Sequence, residues 1–220
     1  RLRQDEHWLL RVGHHILCDG WSWDVFFHEL GLLYEAKIHN EDPPLPQSEP
    51  LQYADYAVWQ RATVLPDDPA YEESLAWWMQ HFSGKSRRGR IPFARPEPIA
   101  AGDPAEGVIR WGVDATISRQ LDAIAADSNA TYFIVRLATF AAFMLGETGG
   151  DNIAIRMHVT GRNRLELQTM FGFFANRINL HFSAAPQTTF RQWVATVRDT
   201  VVQAQAHSDI PYDELCAALQ

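Results

Sequence analysis

The chain has 220 residues, 46% hydrophobic and 21% charged, with a formal net charge of −8 at pH 7. That is the composition of a globular protein with enough apolar material for a real core. The acidic balance, with no basic stripe interleaved with aromatics, argues against a nucleic-acid partner. Two cysteines, Cys18 and Cys216, form neither a disulfide framework nor a paired metal motif. No apolar run is long enough to span a bilayer, and a reducing cytoplasm is the simplest setting. The chain begins without Met and stops inside a helical pattern, so a piece of a longer polypeptide is expected.

Residues 8–13 read as a strand whose side chains alternate between faces. The adjacent His14 and His15 then point to opposite sides, one into a packed interior and the other into an open cleft. Asp19-Gly20 is turn chemistry. Ser22 is expected to cap a helix over residues 23 to about 36, with Trp23, Phe26, Phe27, Leu30 and Leu33 at helical spacing and Asp24 suited to its first turn. The run Asp42-Pro43-Pro44-Leu45-Pro46 ends that pattern.

Further helices are predicted over residues 53–61 and 70–82, the second with Tyr71, Leu75, Trp78 and Phe82 on one face. Residues 83–98, basic and rich in Gly and Pro, read as an extended linker. Beyond it come a strand at 108–113 and a helix at 116–127 with Ile117, Leu121 and Ile124 inward. Residues 131–145 form a wholly buried apolar helix ending at Gly146. Strands follow at 153–159 and 177–182. An amphipathic helix at 189–206 carries Trp193, Val194, Val197 and Val201 inward. Pro211 opens a last helix at 212–219. The alternation of strands and helices favours an α/β architecture.

A metal site on His14, His15 and Asp19 would need all three to converge, and strand alternation separates the histidines. Cys18 beside His15 invites a Cys–His nucleophile. Its neighbours Ile16 and Leu17 suit a small buried hydrophobe better.

Four separated segments agree on one family. The run His14-His15-Ile16-Leu17-Cys18-Asp19-Gly20 resembles the HHxxxDG signature of nonribosomal peptide synthetase condensation domains. Tyr53-Ala54-Asp55-Tyr56-Ala57-Val58-Trp59-Gln60-Arg61 is similar to that family's YxDYAxWQR helix. Gly161-Arg162 with Phe171-Gly172-Phe173-Phe174-Ala175-Asn176 is similar to its GR…GFFVN segment. The stretch His207-Ser208-Asp209-Ile210-Pro211-Tyr212-Asp213-Glu214-Leu215 matches HQDxPFExL loosely. The four lie in the family's order and span essentially the whole chain.

The resemblance implies an α/β, chloramphenicol-acetyltransferase-like fold of two lobes, each a mixed sheet packed with helices, around a tunnel. Residues 1–95 would be the later part of the N-terminal lobe and 96–220 most of the C-terminal lobe. With the start of the first lobe and the end of the second outside the chain, apolar surface should stay open and the fragment should be inactive alone. The implied reaction is amide formation between a carrier-bound acyl or peptidyl thioester and a carrier-bound aminoacyl acceptor. Both arrive on the 4′-phosphopantetheine arms of carrier domains, beside an adenylation domain. The domain itself would bind no cofactor, metal, nucleic acid or membrane.

His15 matches the catalytic histidine, as a proton acceptor or a hydrogen-bonding group. His14, Asp19, Gly20 and Arg162 match supporting positions: His14 is the hydrogen-bonded packing residue on the strand face of Leu10 and Val12, Asp19 pairs with Arg162, and Gly20 offers its N–H to the developing oxyanion. Trp21, Ser22 and Asn176 are expected toward substrate or the pantetheine arm. Arg177 stands where the family has a small Thr, and His181 where it often has an arginine. Arg177 would face solvent or read an acidic or polar donor side chain. An epimerisation domain, a free acyl-CoA HxxxD acyltransferase and a catalytically silent recruitment module are the competing readings.

Overall fold

A computed structural model describes residues 1–45, 51–64, 68–84, 110, 112–183, 185 and 187–219. Helices dominate it. In chain order they are α1 (Gly20–His39), α2 (Tyr53–Thr63), α3 (Pro69–Phe82), α4 (Ala115–Asp127), α5 (Tyr132–Thr148), α6 (Leu165–Gln168), α7 (Phe190–Ala206) and α8 (Tyr212–Ala218). Between α5 and α7 lie β1 (Asn152–Val159) and β2 (Asn176–Ser183).

The two strands pair antiparallel. Ile153 faces Phe182, Ile155 faces Leu180 and Met157 faces Ile178 on one side of the ribbon. Alternation sends Arg156, His158, Arg177 and Asn179 to the other side. Among the described residues this ribbon is the whole sheet, so the mixed sheets expected in each lobe are not what these residues build.

One core lies behind the ribbon. α5 supplies Ile134, Val135, Ala138, Ala141 and Leu145, and α7 supplies Trp193, Val194, Val197, Val201 and Ala204. Both helices start as their sequences demand: Thr131 and Thr189 accept from the N–H three residues on. α5 runs past Gly146 and stops at Gly149, whose φ of 62° is the left-handed cap that glycine adopts without strain. α5 is buried along one face only, because Phe133, Phe140 and Phe143 are exposed. In α4, Leu121, Ile124 and Ala125 turn inward and Ile117 does not.

α3 belongs to the same core. Trp78 is 1% exposed, its Nε1 donates to the His207 carbonyl at 2.8 Å, and Tyr71, Leu75 and Phe82 pack beside it. Residues on both sides of position 95 thus share a single apolar interior. A smaller cluster of Leu167, Met170 and Phe174 receives Tyr56 from α2.

The N-terminal segment departs from expectation. Residues 8–13 form no strand, and Trp8, Leu9, Leu10 and Val12 are exposed. A strand exists only where a neighbour takes its N–H and C=O groups. Among the described residues no backbone hydrogen bond joins this segment to another. It lies instead against α1, with the Arg11 guanidinium 3.5 Å from the Trp23 ring centre. Phe27, Leu30 and Leu33 of α1 are likewise exposed, whereas Trp23 and Phe26 are half-buried. The expected linker and the strand at 108–113 fall largely outside the described residues.

Candidate active site

The chain turns sharply where the two histidines meet α1. His14 is extended, and its Nδ1 accepts from the Ile16 N–H at 3.2 Å, closing a 3₁₀ turn over His15–Leu17. This local bond holds His14 in the open, not in a packed interior as strand alternation predicts. Cys18 then dives inward to 4% exposure. Asp19, also 4% exposed, caps α1 by accepting from the Ser22 N–H at 2.9 Å. The cap is Asp19, and Ser22 sits at the third position of the helix, where its own N–H is the one the Asp19 carboxylate accepts.

Ser22 is fully buried. Its hydroxyl lies 2.8 Å from Asp19 Oδ1 and 2.7 Å from the Gly172 carbonyl, and it accepts from the Gly172 N–H at 3.1 Å. The residue is spent on the fold and cannot reach a substrate. Asp19 also accepts the Phe174 N–H at 3.0 Å and donates its own N–H to the Gly172 carbonyl.

Arg162 closes the assembly. Its Nη2 is 3.1 Å from Asp19 Oδ1 and 3.1 Å from the Ser22 hydroxyl, and it reaches the Gly172 carbonyl. Its Nη1 donates to the carbonyls of Leu167 and Met170, and its guanidinium lies 4.2 Å from the Phe174 ring centre. The side chains of Arg162 and Asp19 are 1% and 5% exposed. Burial works to raise the Asp19 carboxyl, but the Phe174 and Ser22 hydrogen bonds and the Arg162 charge outweigh it and hold the group below the ordinary range.

This clasp fixes the start of α1 to the loop between β1 and β2, and three further features tighten that junction. Trp21 Nε1 donates to the Gln168 carbonyl at 2.8 Å. Tyr53 OH donates to the Phe173 carbonyl at 2.9 Å; burial raises the phenol, so it stays protonated and able to donate. Two glycines allow the close approach. Gly161 has φ +64°, and a Cβ there would stand 2.0 Å from the Phe174 carbonyl oxygen. A Cβ on Gly172 would stand 2.2 Å from the Tyr53 ring. Tyr53, Gly161 and Gly172 lie in the motifs noted in the sequence, which gave them no role of their own; for Gly172, its place between Phe171 and Phe173 was the available signal.

His15 is what the clasp leaves outside. Its ring is exposed, meets the Phe173 ring edge-on at 5.3 Å between centroids, and makes no hydrogen bond among the described residues. Gly20 opens the first turn of α1, where backbone N–H groups have no acceptor within the helix. A cleft of about 240 Å³ is lined by Phe173 together with Tyr53, Tyr56, Trp59, Asn163 and Arg164. Asn176 is not placed for a substrate. Its Nδ2 donates to the carbonyls of Ser208 and Ile210 at 2.8 and 2.7 Å, and its Oδ1 accepts from the N–H groups of Arg177 and Tyr212. The amide spans a turn, as a short piece of backbone would. Among the described residues no group of three His, Cys, Asp or Glu side chains could hold a metal ion.

An exposed imidazole thus stands four residues before the buried Asp19, whose ion pair with Arg162 fixes the helix start. The family model for the condensation domain matches residues 1–220. The chain belongs to the condensation-domain family. It is 35% identical over 222 residues to enniatin synthetase of Fusarium oxysporum, covering 100% of this chain and 7% of that protein. It is 36% identical over 216 residues to phosphinothricin tripeptide synthetase PhsC of Streptomyces viridochromogenes, covering 98% and 19%.

The fold of this condensation domain matches SgcC5 from Streptomyces globisporus with a TM-score of 0.78 at 24% identity, over 94% of this chain and 45% of that one. The X-domain from teicoplanin biosynthesis matches with a TM-score of 0.76 at 26% identity, over 94% and 46%. These likenesses establish the chloramphenicol-acetyltransferase-like fold. The chain spans under half the length of these solved neighbours and a small part of the synthetases. Among the described residues no single helix is long and apolar enough to cross a membrane.

Proposed function

We propose that the chain forms amide bonds between two carrier-bound substrates, as part of a cytoplasmic peptide synthetase with neighbouring carrier and adenylation domains. In the full domain, residues 1–95 would complete one lobe and residues 96–220 most of the other. The observation that carries the reading is the exposed His15 ring against Phe173, whose neighbours Gly172 and Phe174 are bonded to the buried Asp19–Arg162 clasp.

The reaction joins the acceptor nitrogen to the donor carbonyl carbon, then breaks the C–S bond and releases the carrier thiol with a proton. A thioester is already activated, so holding the two arms in line supplies much of the rate. The acceptor attacks as the free amine, and the His15 imidazole takes the proton from the nitrogen of the tetrahedral adduct or hydrogen-bonds that adduct. The first N–H of α1, at Gly20, faces the developing oxyanion. Asp19, Arg162 and Ser22 touch no substrate and keep His15 in register with Phe173.

The test is aminoacyl transfer between two loaded carrier domains in the native polypeptide. His15→Ala should lower the rate about 10²–10⁴-fold, and unchanged dipeptidyl product would remove His15 from the chemistry. A second reading, a silent recruitment module, has the X-domain likeness behind it, since that domain is known in complex with OxyB. It requires that wild type and His15→Ala be equally inert in transfer.

A further inference from the structure

We propose that the outer face of the β1–β2 ribbon is an oxyanion-binding surface that recognises a carboxylate or phosphate group on a substrate of the domain. This goes one step further than the carrier-based reading and rests on it for the word substrate. The register makes Arg156 the partner of Asn179 and His158 the partner of Arg177. Arg156 and Arg177 are therefore diagonal neighbours on the face turned away from the core.

Tyr212 of α8 lies against both. The Arg156 guanidinium is 4.9 Å and that of Arg177 4.5 Å from its ring centre. Arg156 also donates to the Tyr212 hydroxyl and, at 3.4 Å, to Asn179 Oδ1. Two cations are thus braced on one ring in a chain whose net charge is −8.

Like charges side by side on a sheet repel, and the face supplies little to offset them. Asp213 stands 3.9 Å from Arg177, but its side chain is 94% exposed, so the pair is long and screened by water. Glu214 turns away to the Tyr71 hydroxyl. His158 can only add positive charge. What remains is the Arg177 fork, engaged only by that long pair, beside the Arg156 Nη1 that Tyr212 and Asn179 leave over, and these N–H groups match the two-oxygen edge of a carboxylate or phosphate. Arg177 remains 44% exposed and within reach of a ligand. Two sources carry that chemistry: an acidic substrate side chain, and the phosphate of the pantetheine arm.

The experiment is an NMR titration of the native polypeptide, following the arginine Nε resonances, with paired charged and neutral probes. N-acetylglutamate is set against N-acetylglutamine, and 4′-phosphopantetheine against pantetheine. The charged member of at least one pair should shift Arg156 and Arg177 and bind about 10–100-fold more tightly than its neutral partner. Arg156→Gln and Arg177→Gln should abolish that difference. The responding pair identifies the source. Charged and neutral probes that bind alike, or shifts that spare both arginines, would overturn the proposal, and the wild-type comparison decides this even if the variants fold poorly. The titration needs no peptide formation, so loss of the transfer reading and loss of this one are separately visible.

Discussion

Replacing Arg162 by Met removes the centre of the clasp while keeping most of its volume. The carbonyls of Leu167, Met170 and Gly172 lose a donor, and Asp19 is left buried with no cation beside it. Removing one partner of a buried pair costs about 3–5 kcal/mol, against total stabilities of roughly 5–15 kcal/mol for whole domains. Arg162→Lys keeps the charge but cannot serve acceptors spread along a fork, so a loss of about 1–3 kcal/mol is expected. Urea unfolding followed by tryptophan fluorescence, with circular dichroism as a second probe, measures both. The double variant Asp19→Asn/Arg162→Met should be less damaging than the sum of its parts, with a coupling of about 0.5–3 kcal/mol. An Arg162→Met loss below about 1 kcal/mol, or strictly additive single effects, would show that the network contributes nothing beyond ordinary packing.

Gly161→Ala should cost roughly 3 kcal/mol or more in the same assay, since it combines a left-handed φ with a backbone clash. Gly172→Ala should displace the Tyr53 ring, visible as a shifted tyrosine resonance and loss of the Phe173 contact. Asn176→Ala strips donors from the buried Ser208–Ile210 turn and should cost about 2–3 kcal/mol, with chemical-shift changes concentrated at the start of α8. Because the folded Asp19 carboxyl is held below its unfolded value, its contribution is full above about pH 4 and fades as the pH falls through the folded value. The stability difference between wild type and Asp19→Asn should therefore be flat near neutrality and shrink below about pH 4.

Much of this was legible from the chain. The strands at β1 and β2, the α7 stripe of Trp193, Val194, Val197 and Val201, and helix starts within one residue of Thr131 and Thr189 are local signals, and local geometry fulfils them. The errors share one physical cause, which is dependence on a distant partner. Residues 8–13 have strand composition, but composition cannot provide the neighbour that makes a ladder. Ser22 looked like a cap until Asp19 outcompeted it, and its hydroxyl found Gly172, 150 positions away. Asn176 suited a ligand amide as well as a backbone turn; Ser208 and Ile210, more than thirty residues on, decide between them. His14 was misplaced because alternation was extended through a 3₁₀ turn.

Asp19 and Arg162 are 143 positions apart, yet neither is tolerable without the other. In a hybrid spliced from two parent synthetases, a junction placed anywhere between these two positions would unite halves with separate histories. Parents that differ in the Gly161, Gly172 or Tyr53 fit would then yield hybrids whose seam is strained even though every motif is intact. Junctions set outside that interval inherit the interlock whole.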